Sequence, residues 1–476
     1  MRLLILLLIS FFCLAGASRG ATIVVSKSGP VGTIKQAIAK AKTGDVILIK
    51  KGVYKEGEIT IDKAITLQGE DLPVLDGNGT NQILTVTVSG VTIKGLHLRN
   101  TGTSSLNDLA GIKLLNVAHV TISDNKLEDC FFGIYLSKSD SCIVTNNHVS
   151  SGSHIPETML GNGIHMWKCS DVLVENNLVQ GQRDGIYLEF TTKSTIRKNT
   201  TEKNIRYGLH FMFSHDVVYT FNTFRDNGAG VAVMYTDRVE MTGNLFELNW
   251  GSSAYGLLLK DINGSTIRNN TFRKNTTALY MEGSNRIKVE SNNFENNGWA
   301  IKLLANCMED TFRLNNFTAN TFDVASNGTT MLNHINANYW DKYSGYDLDK
   351  DKVGDVPYRP VSLYSVMVEK VPYSVMFLRS FVVDLMDQME KVIPSFTPEL
   401  LIDNQPAMAY FKGAGAQKFQ PETTPANTPA QTIVIAEASN NSTFSKLLGF
   451  VKNLFTKKDI QAPAATGSPV VLAAGH

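Results

Sequence analysis

The stretch that decides the fold is Gly208 to Asn227, GLHFMFSHDVVYTFNTFRDN. Gly208 opens it. Leu209 and Phe211 then alternate with His210 and Met212, the period-two pattern of a β-strand. Val217, Tyr219, Asn222 and Phe224 follow at spacings that recur elsewhere in the chain.

Equivalent units open at Gly111, Gly133, Gly163, Gly185, Gly208, Gly230, Gly256, Ala278 and Ala300, spaced by 22, 30, 22, 23, 22, 26, 22 and 22 residues. One and three residues after each opener the side chain is apolar, as at Ile112 and Leu114 or Ile186 and Leu188. Fourteen after it stands asparagine: Asn125, Asn147, Asn177, Asn199, Asn222, Asn244, Asn270 and Asn292, with Asn315 one place late in the last unit. A fixed period in the twenties, with strand-like units too short to bury their own apolar side chains, predicts an all-β, right-handed parallel β-helix solenoid. The asparagine column is expected at a bend, in αL geometry, with its amides bonded coil to coil. A leucine-rich repeat would need an L-x-x-L-x-L ladder, which is absent. The long spacings after Gly133 and Gly230 are expected to be loops at coil corners.

Five regions follow. Residues 1–20 read as a signal peptide: Arg2, an apolar run Leu3–Leu14, and small residues Ala15 and Ala17 before cleavage. The run is short for a bilayer span. Residues 21–100 read as an N-terminal cap and first coils, with a strand at Thr22–Val25 and an amphipathic helix at Thr33–Lys42. Residues 101–338 are the repeats. Residues 339–411 read as a C-terminal cap or docking segment; Glu369, Lys370, Arg379 and Asp384 interrupt its apolar runs and argue against a membrane span. Residues 412–476 read as a linker and tail, within which Phe444–Lys458 has the pattern of a basic amphipathic helix for a membrane surface or a partner.

A formal net charge of +1 gives no argument for nucleic acid. Cys130, Cys142, Cys169 and Cys307 have neither metal-ligand spacing nor the density of a disulfide framework.

If odd offsets point inward, the second and fourth residues after each opener share one outer face. Its centre reads Tyr135, His165, Trp167, Tyr187, Glu189, His210, Met212 and Met234. Aromatics and methionines suit a docking surface. Two thioethers with an imidazole also suit Cu(I), a soft ion. Both readings stand. The copper candidates are His210, Met212 and Met234, with His165 as a second or transient station and Glu189 as a group that could orient an imidazole. Beyond the repeats, Asp347, Asp349, Asp351 and Asp355 are spaced like oxygen ligands for calcium, but Lys352 stands where such loops use glycine. A solvated acidic turn is the other reading.

The runs GNGIHMWKC at 161–169, RYGLHFMFSHDV at 206–217 and NYWDKYSGYDLDKDKVGDVPYRPVSLYSVMVEKVP at 338–372 resemble the NosD family across roughly residues 22 to 410. The resemblance implies an exported, periplasmic, non-enzymatic β-helix protein for maturation of the copper centre of nitrous oxide reductase. It also implies partners: an ABC transporter in the inner membrane, the reductase itself and a copper chaperone. The alternative is a polysaccharide lyase, hydrolase or epimerase. Such sites need paired carboxylates or a carboxylate with a base, and Glu189 and Glu282 lie four coils apart, about 19 Å at one coil per strand spacing.

Overall fold

The computed structural model describes residues 20–104, 106–152, 156–328, 332–393 and 401–415. Residues 1–19 of the expected signal peptide, and Phe444–Lys458, lie outside these residues.

Each coil is built from one long and two short strands. In the coil of Gly208 these are Tyr207–Met212, Val218–Thr220 and Thr223–Arg225. Stacking gives three parallel sheets of 12, 14 and 13 strands, continuous from Thr22–Val25 to Tyr339–Trp340, in a right-handed parallel solenoid. Register is strict across the long-strand sheet: Ile186, Leu209 and Val231 are successive partners, as are Glu189, Met212 and Met234. Inside, Phe224, Phe246, Phe272, Phe294, Phe317 and Trp340 form one stack with ring centroids 4.0 to 5.3 Å apart.

The asparagine column is a ladder. Asn199 donates its backbone N–H and Nδ2 to Oδ1 of Asn222, at 2.9 and 3.0 Å, and Asn222 does the same to Asn244. The pattern runs from Asn125 through Asn315, whose one-place delay is absorbed at the bend, to Asn338. The αL geometry expected of these asparagines belongs instead to the residue before each. Lys198, Phe221 and Asn269 have φ of 55°, 56° and 53°. The chain turns there so that the next side chain points inward.

A second ladder, unforeseen, runs from Gln182 through Asn204, Asn227, Asn249, Asn275 and Asn297 to Asn320. It runs beside the small openers, where a Cβ on each glycine would also meet the carbonyl of the next opener, as Gly230 O at 2.7 Å for Gly208. A Cβ on Gly208 would stand 2.8 Å from Asn227 Nδ2, and one on Gly230 3.1 Å from Asn249 Nδ2. The opener and the residue after it therefore both point inward, and strict alternation fails at that point.

The ends are covered. Helix α1, Ile34–Lys40, buries Ile34, Ala37 and Ile38; Thr33 caps it, and Glu56 accepts from the N–H groups of Ile34 and Lys35. At the far end Val361 and Leu401 join the core. Asp403 accepts from the N–H groups of Ala337 and Asn338 and from Trp340 Nε1, ending the first ladder. Helices α2, Leu363–Lys370, and α3, Phe381–Val392, pack Tyr364, Val368 and Val383 beside Phe322. Among the described residues no helix is long and apolar enough to cross a membrane. The four cysteines are buried and free, and burial pushes the thiols of Cys130, Cys169 and Cys307 up to about 12.

Asp310 is fully buried; Oδ1 accepts from Ile287 N, while Oδ2 has no partner among the described residues. Burial pushes its carboxyl up from 3.8 to about 7. The folded state therefore loses stability as pH rises from about 4 to about 7, because the unfolded carboxyl ionises first. Asp310→Asn keeps the acceptor without the charge. Its melting temperature should exceed that of the wild type by more at pH 8 than at pH 5. An equal difference at both pH values would show that Asp310 is not protonated in the fold.

Candidate functional site: an outer histidine and methionine face

Because the openers turn inward, the residue before each one faces out, beside the second-offset column. Phe132, Asn162, Asp184 and Tyr207 thus join Tyr135, His165, Tyr187 and His210 on one surface. Strict alternation places these four inside, so the sequence reading missed them. The rings form a continuous tract: Tyr135 to His165 at 4.7 Å, His165 to Tyr187 at 4.7 Å, Tyr187 to His210 at 4.8 Å, and Tyr207 to His210 at 4.7 Å. His165 and His210 are only 8% and 6% exposed, although they lie on the outer side of the sheet.

His210 sits against an ion pair whose carboxylate, Asp184, is buried and whose arginine, Arg206, is exposed. Arg206 donates Nε to Asp184 Oδ1 at 2.9 Å and Nη2 to Oδ2 at 2.6 Å. Nδ1 of His210 lies 3.4 Å from Asp184 Oδ2. Burial alone would raise the Asp184 carboxyl, but the hydrogen bonds from His210 and Arg206 outweigh it and hold it below its ordinary range. Burial pulls His210 down, against the contrary pull of Asp184. Burial, helped by Arg183, takes His165 to about 3. Both imidazoles are therefore neutral at neutral pH, the form that binds metals. Nε2 of each is buried and has no hydrogen-bond partner among the described residues.

Met212 and Met234 are direct register partners on adjacent strands, both partly exposed, and His210 precedes Met212 by two residues on the same face. His165 is not brought to them: it lies two strands away, with Tyr187 between. Glu189 is the register partner of Met212, but the carboxylate that meets an imidazole is Asp184. Beside the methionines, Phe190, Phe213 and Tyr235 stack on the outer corner with centroids 5.3 and 5.1 Å apart, 38 to 45% exposed. Their shared offset, five after each opener, was the available signal.

Comparison with known proteins decides the family. A protein of Pseudomonas aeruginosa described as a probable ABC transporter binding protein NosD is 30% identical over 370 residues, covering 74% of this chain and 86% of the relative. The chain belongs to the NosD family. A namesake from Stutzerimonas stutzeri is 26% identical over 372 residues, covering 74% of this chain and 84% of its own. The family model for NosD, described as a periplasmic copper-binding protein, matches residues 150–345, and a right-handed β-helix model matches 52–156. Among solved structures, the catalytic unit of an α-1,3-glucanase from Streptomyces thermodiastaticus aligns with a TM-score of 0.54 at 16% identity, covering 68% of this chain and 71% of its own. XylC in complex with xylose aligns at 0.51 and 11%, covering 70% and 88%. These two share the fold alone. The NosD match spans His165, His210, Met212 and Met234 and ends at residue 345, before the carboxylates of the acidic loop.

In that loop Asp347, Asp349 and Asp351 bring one carboxylate oxygen each within 4.8 Å of one another; Asp355 is outside the trio and accepts from Leu348 N. Asp347 also accepts from the N–H groups of Asp351 and Lys352, so the carboxylates hold the turn as well. If the trio takes calcium, added calcium should raise the melting temperature over a chelated sample by mass action, and Asp349→Asn should remove the increment. Identical melting curves would leave only the solvated turn.

Proposed function

We propose that the protein is a periplasmic accessory protein that carries Cu(I) as cargo on the His210, Met212 and Met234 face. It docks on an ABC transporter of the inner membrane and passes copper onward for the copper centre of nitrous oxide reductase, receiving it from a copper chaperone. The observation that carries this reading is the His210 imidazole: neutral, backed by Asp184, with Nε2 free of any partner and a register-matched thioether pair two residues along the face. Three neutral, polarisable ligands favour Cu(I) over Cu(II) or Zn(II). The buried thiols, held near 12, are poor competitors for the ion. Family membership and the descriptions of the family and its Pseudomonas aeruginosa member support the periplasmic setting and the transporter partner.

The sugar-enzyme alternative draws on fold likeness only. Glu189 and Glu282 stand beside Met212 and Lys260, with strands between them, and Lys260 pairs with Glu282 at 3.4 Å.

Cu(I) titration against a chromogenic competing chelator tests the site. His210→Ala with Met212→Ala and Met234→Ala should lose at least tenfold in affinity, the scale of about 1.4 kcal/mol. Equal affinity in the two proteins would return this face to a docking role.

The transporter contact is assigned to the cap. Tyr364, Val368 and Val383 pack inward, but Tyr373, Met376 and Phe381 are 73 to 87% exposed, and Leu385 and Met389 are also exposed. Met376→Asp with Phe381→Asp should abolish co-purification with the transporter while leaving the melting temperature within about 2 °C, as expected of exposed positions. Intact complexes would move the interface elsewhere.

A further inference from the structure

His165 and His210 occupy the same column two coils apart, and each meets a short polar side chain at Nδ1. The two surroundings differ in one chemical respect. Nδ1 of His165 lies 3.1 Å from Asn162 Nδ2, and Nδ1 of His210 lies 3.4 Å from Asp184 Oδ2. Each of those side chains is held by an arginine from the next coil, Arg183 on Asn162 and Arg206 on Asp184.

At His165 the proton position follows from the arginine. Arg183 Nη2 donates to Asn162 Oδ1 at 3.2 Å, which fixes the amide with its oxygen toward the guanidinium. Asn162 Nδ2 is then the donor to Nδ1, and the imidazole proton must sit on Nε2. That nitrogen has no lone pair to give a metal.

At His210 two groups compete for Nδ1: Asp184 Oδ2, an acceptor only, and Arg206 Nη2, a donor at 3.3 Å. Arg206 donates to both carboxylate oxygens, Nη2 with one of its two protons. Were Nδ1 to accept from it, the proton would move to Nε2, which is buried without an acceptor. His165 carries such an unpaired N–H because its Nδ1 faces only a donor; at His210 the acceptor Asp184 Oδ2 lets the proton avoid it. The proton therefore sits on Nδ1, facing Asp184, and the lone pair on Nε2 is presented.

We infer that Asp184, clamped by Arg206, is the positioning residue that makes His210 the metal-binding histidine of this face, while Asn162, clamped by Arg183, keeps the look-alike His165 out of the ligand set. This rests on the copper reading above. It extends that reading from which residues lie together to which nitrogen binds, and it withdraws His165 as a station for copper. A carboxylate behind a ligating imidazole fixes the tautomer and raises its basicity, and its loss costs 10- to 100-fold in metal affinity.

The test uses full-length protein with 15N-labelled histidine, free of metal, at neutral pH. Long-range 1H–15N correlation reads which ring nitrogen is protonated, with His165 and His210 assigned from His165→Ala and His210→Ala spectra. The expected result is Nδ1–H at His210 and Nε2–H at His165. Asp184→Asn recreates at 184 the amide arrangement of 162. It should switch His210 to Nε2–H and weaken Cu(I) binding 10- to 100-fold against the same chelator. Asn162→Asp should switch His165 to Nδ1–H, and it tests the rule at a second ring if Asp184→Asn does not fold. Nε2–H at His210 in the wild type, or a variant at 184 or 162 that leaves its histidine's tautomer unchanged, would overturn the inference. His210→Ala binding Cu(I) as tightly as wild type would instead sink the copper site, with the tautomers still reporting on Asp184.

Discussion

The structure depends on the buried asparagine ladder. A parallel solenoid has no hairpins to set register, so something else must fix how one coil sits on the next. Each ladder Oδ1 takes two hydrogen bonds from the coil before it, one from a backbone N–H and one from an amide. Each Nδ2 also reaches back to a carbonyl, as Asn222 does to Ile196. In a dry interior such a network is stabilising only when every group is paired. A coil displaced by one residue would leave several amides unpaired, at about 1–3 kcal/mol each. It would also turn every strand side chain to the opposite face. The ladder thereby fixes the outer face. Met212 stands over Met234, and Tyr187 lies between the two histidines, because the amides behind them allow one register.

The ladder was legible because its offset is fixed and asparagine is a strange residue to keep there. The second ladder, nineteen residues after most openers, was equally regular and went unread. Its consequence was the larger loss. Openers read as ordinary outward positions of an alternating strand are in fact inward, crowded against Asn227 and Asn249. Alternation is a rule for a flat pleated strand, and it fails where the coil bends into the strand. That single failure hid Asp184 and Tyr207, which face outward beside His210. Arg206 was hidden for another reason: its role appears only when coils are stacked, because it reaches Asp184 across 22 residues of sequence. The αL positions were misplaced by one residue for a related cause. The bend belongs to the exposed residue, and the asparagine is the side chain that the bend delivers.

Burial gives the outer face its chemistry. A histidine on an exposed sheet face would be partly protonated near neutrality and would repel a cation. Here the flanking tyrosines remove His165 and His210 from water and keep both neutral. Beside His210, Asp184 and Arg206 neutralise each other at 2.6 Å. An ion there would meet a neutral imidazole, thioethers and a compensated ion pair, with the Glu189 carboxylate on the next strand beside Met212. Ligands of that kind discriminate by softness.

The cap separates what the fold requires from what it does not. A solenoid needs its last coil closed, and Trp340, Val361, Leu401 and Asp403 do that from inside the core. Helix α2 then covers Phe322 and Trp299 with Tyr364, Val368 and Met367, and Lys302 pairs with Glu369 at 3.1 Å. Closure is complete at that layer. The exposed side chains of Tyr373, Met376, Phe381 and Leu385 contribute nothing further to it, yet they gather in one short segment of chain. Scattered single apolar residues need no explanation, but a contiguous group does. Since the end of the β-helix is sealed without them among the described residues, their exposure supports the docking role proposed for the cap.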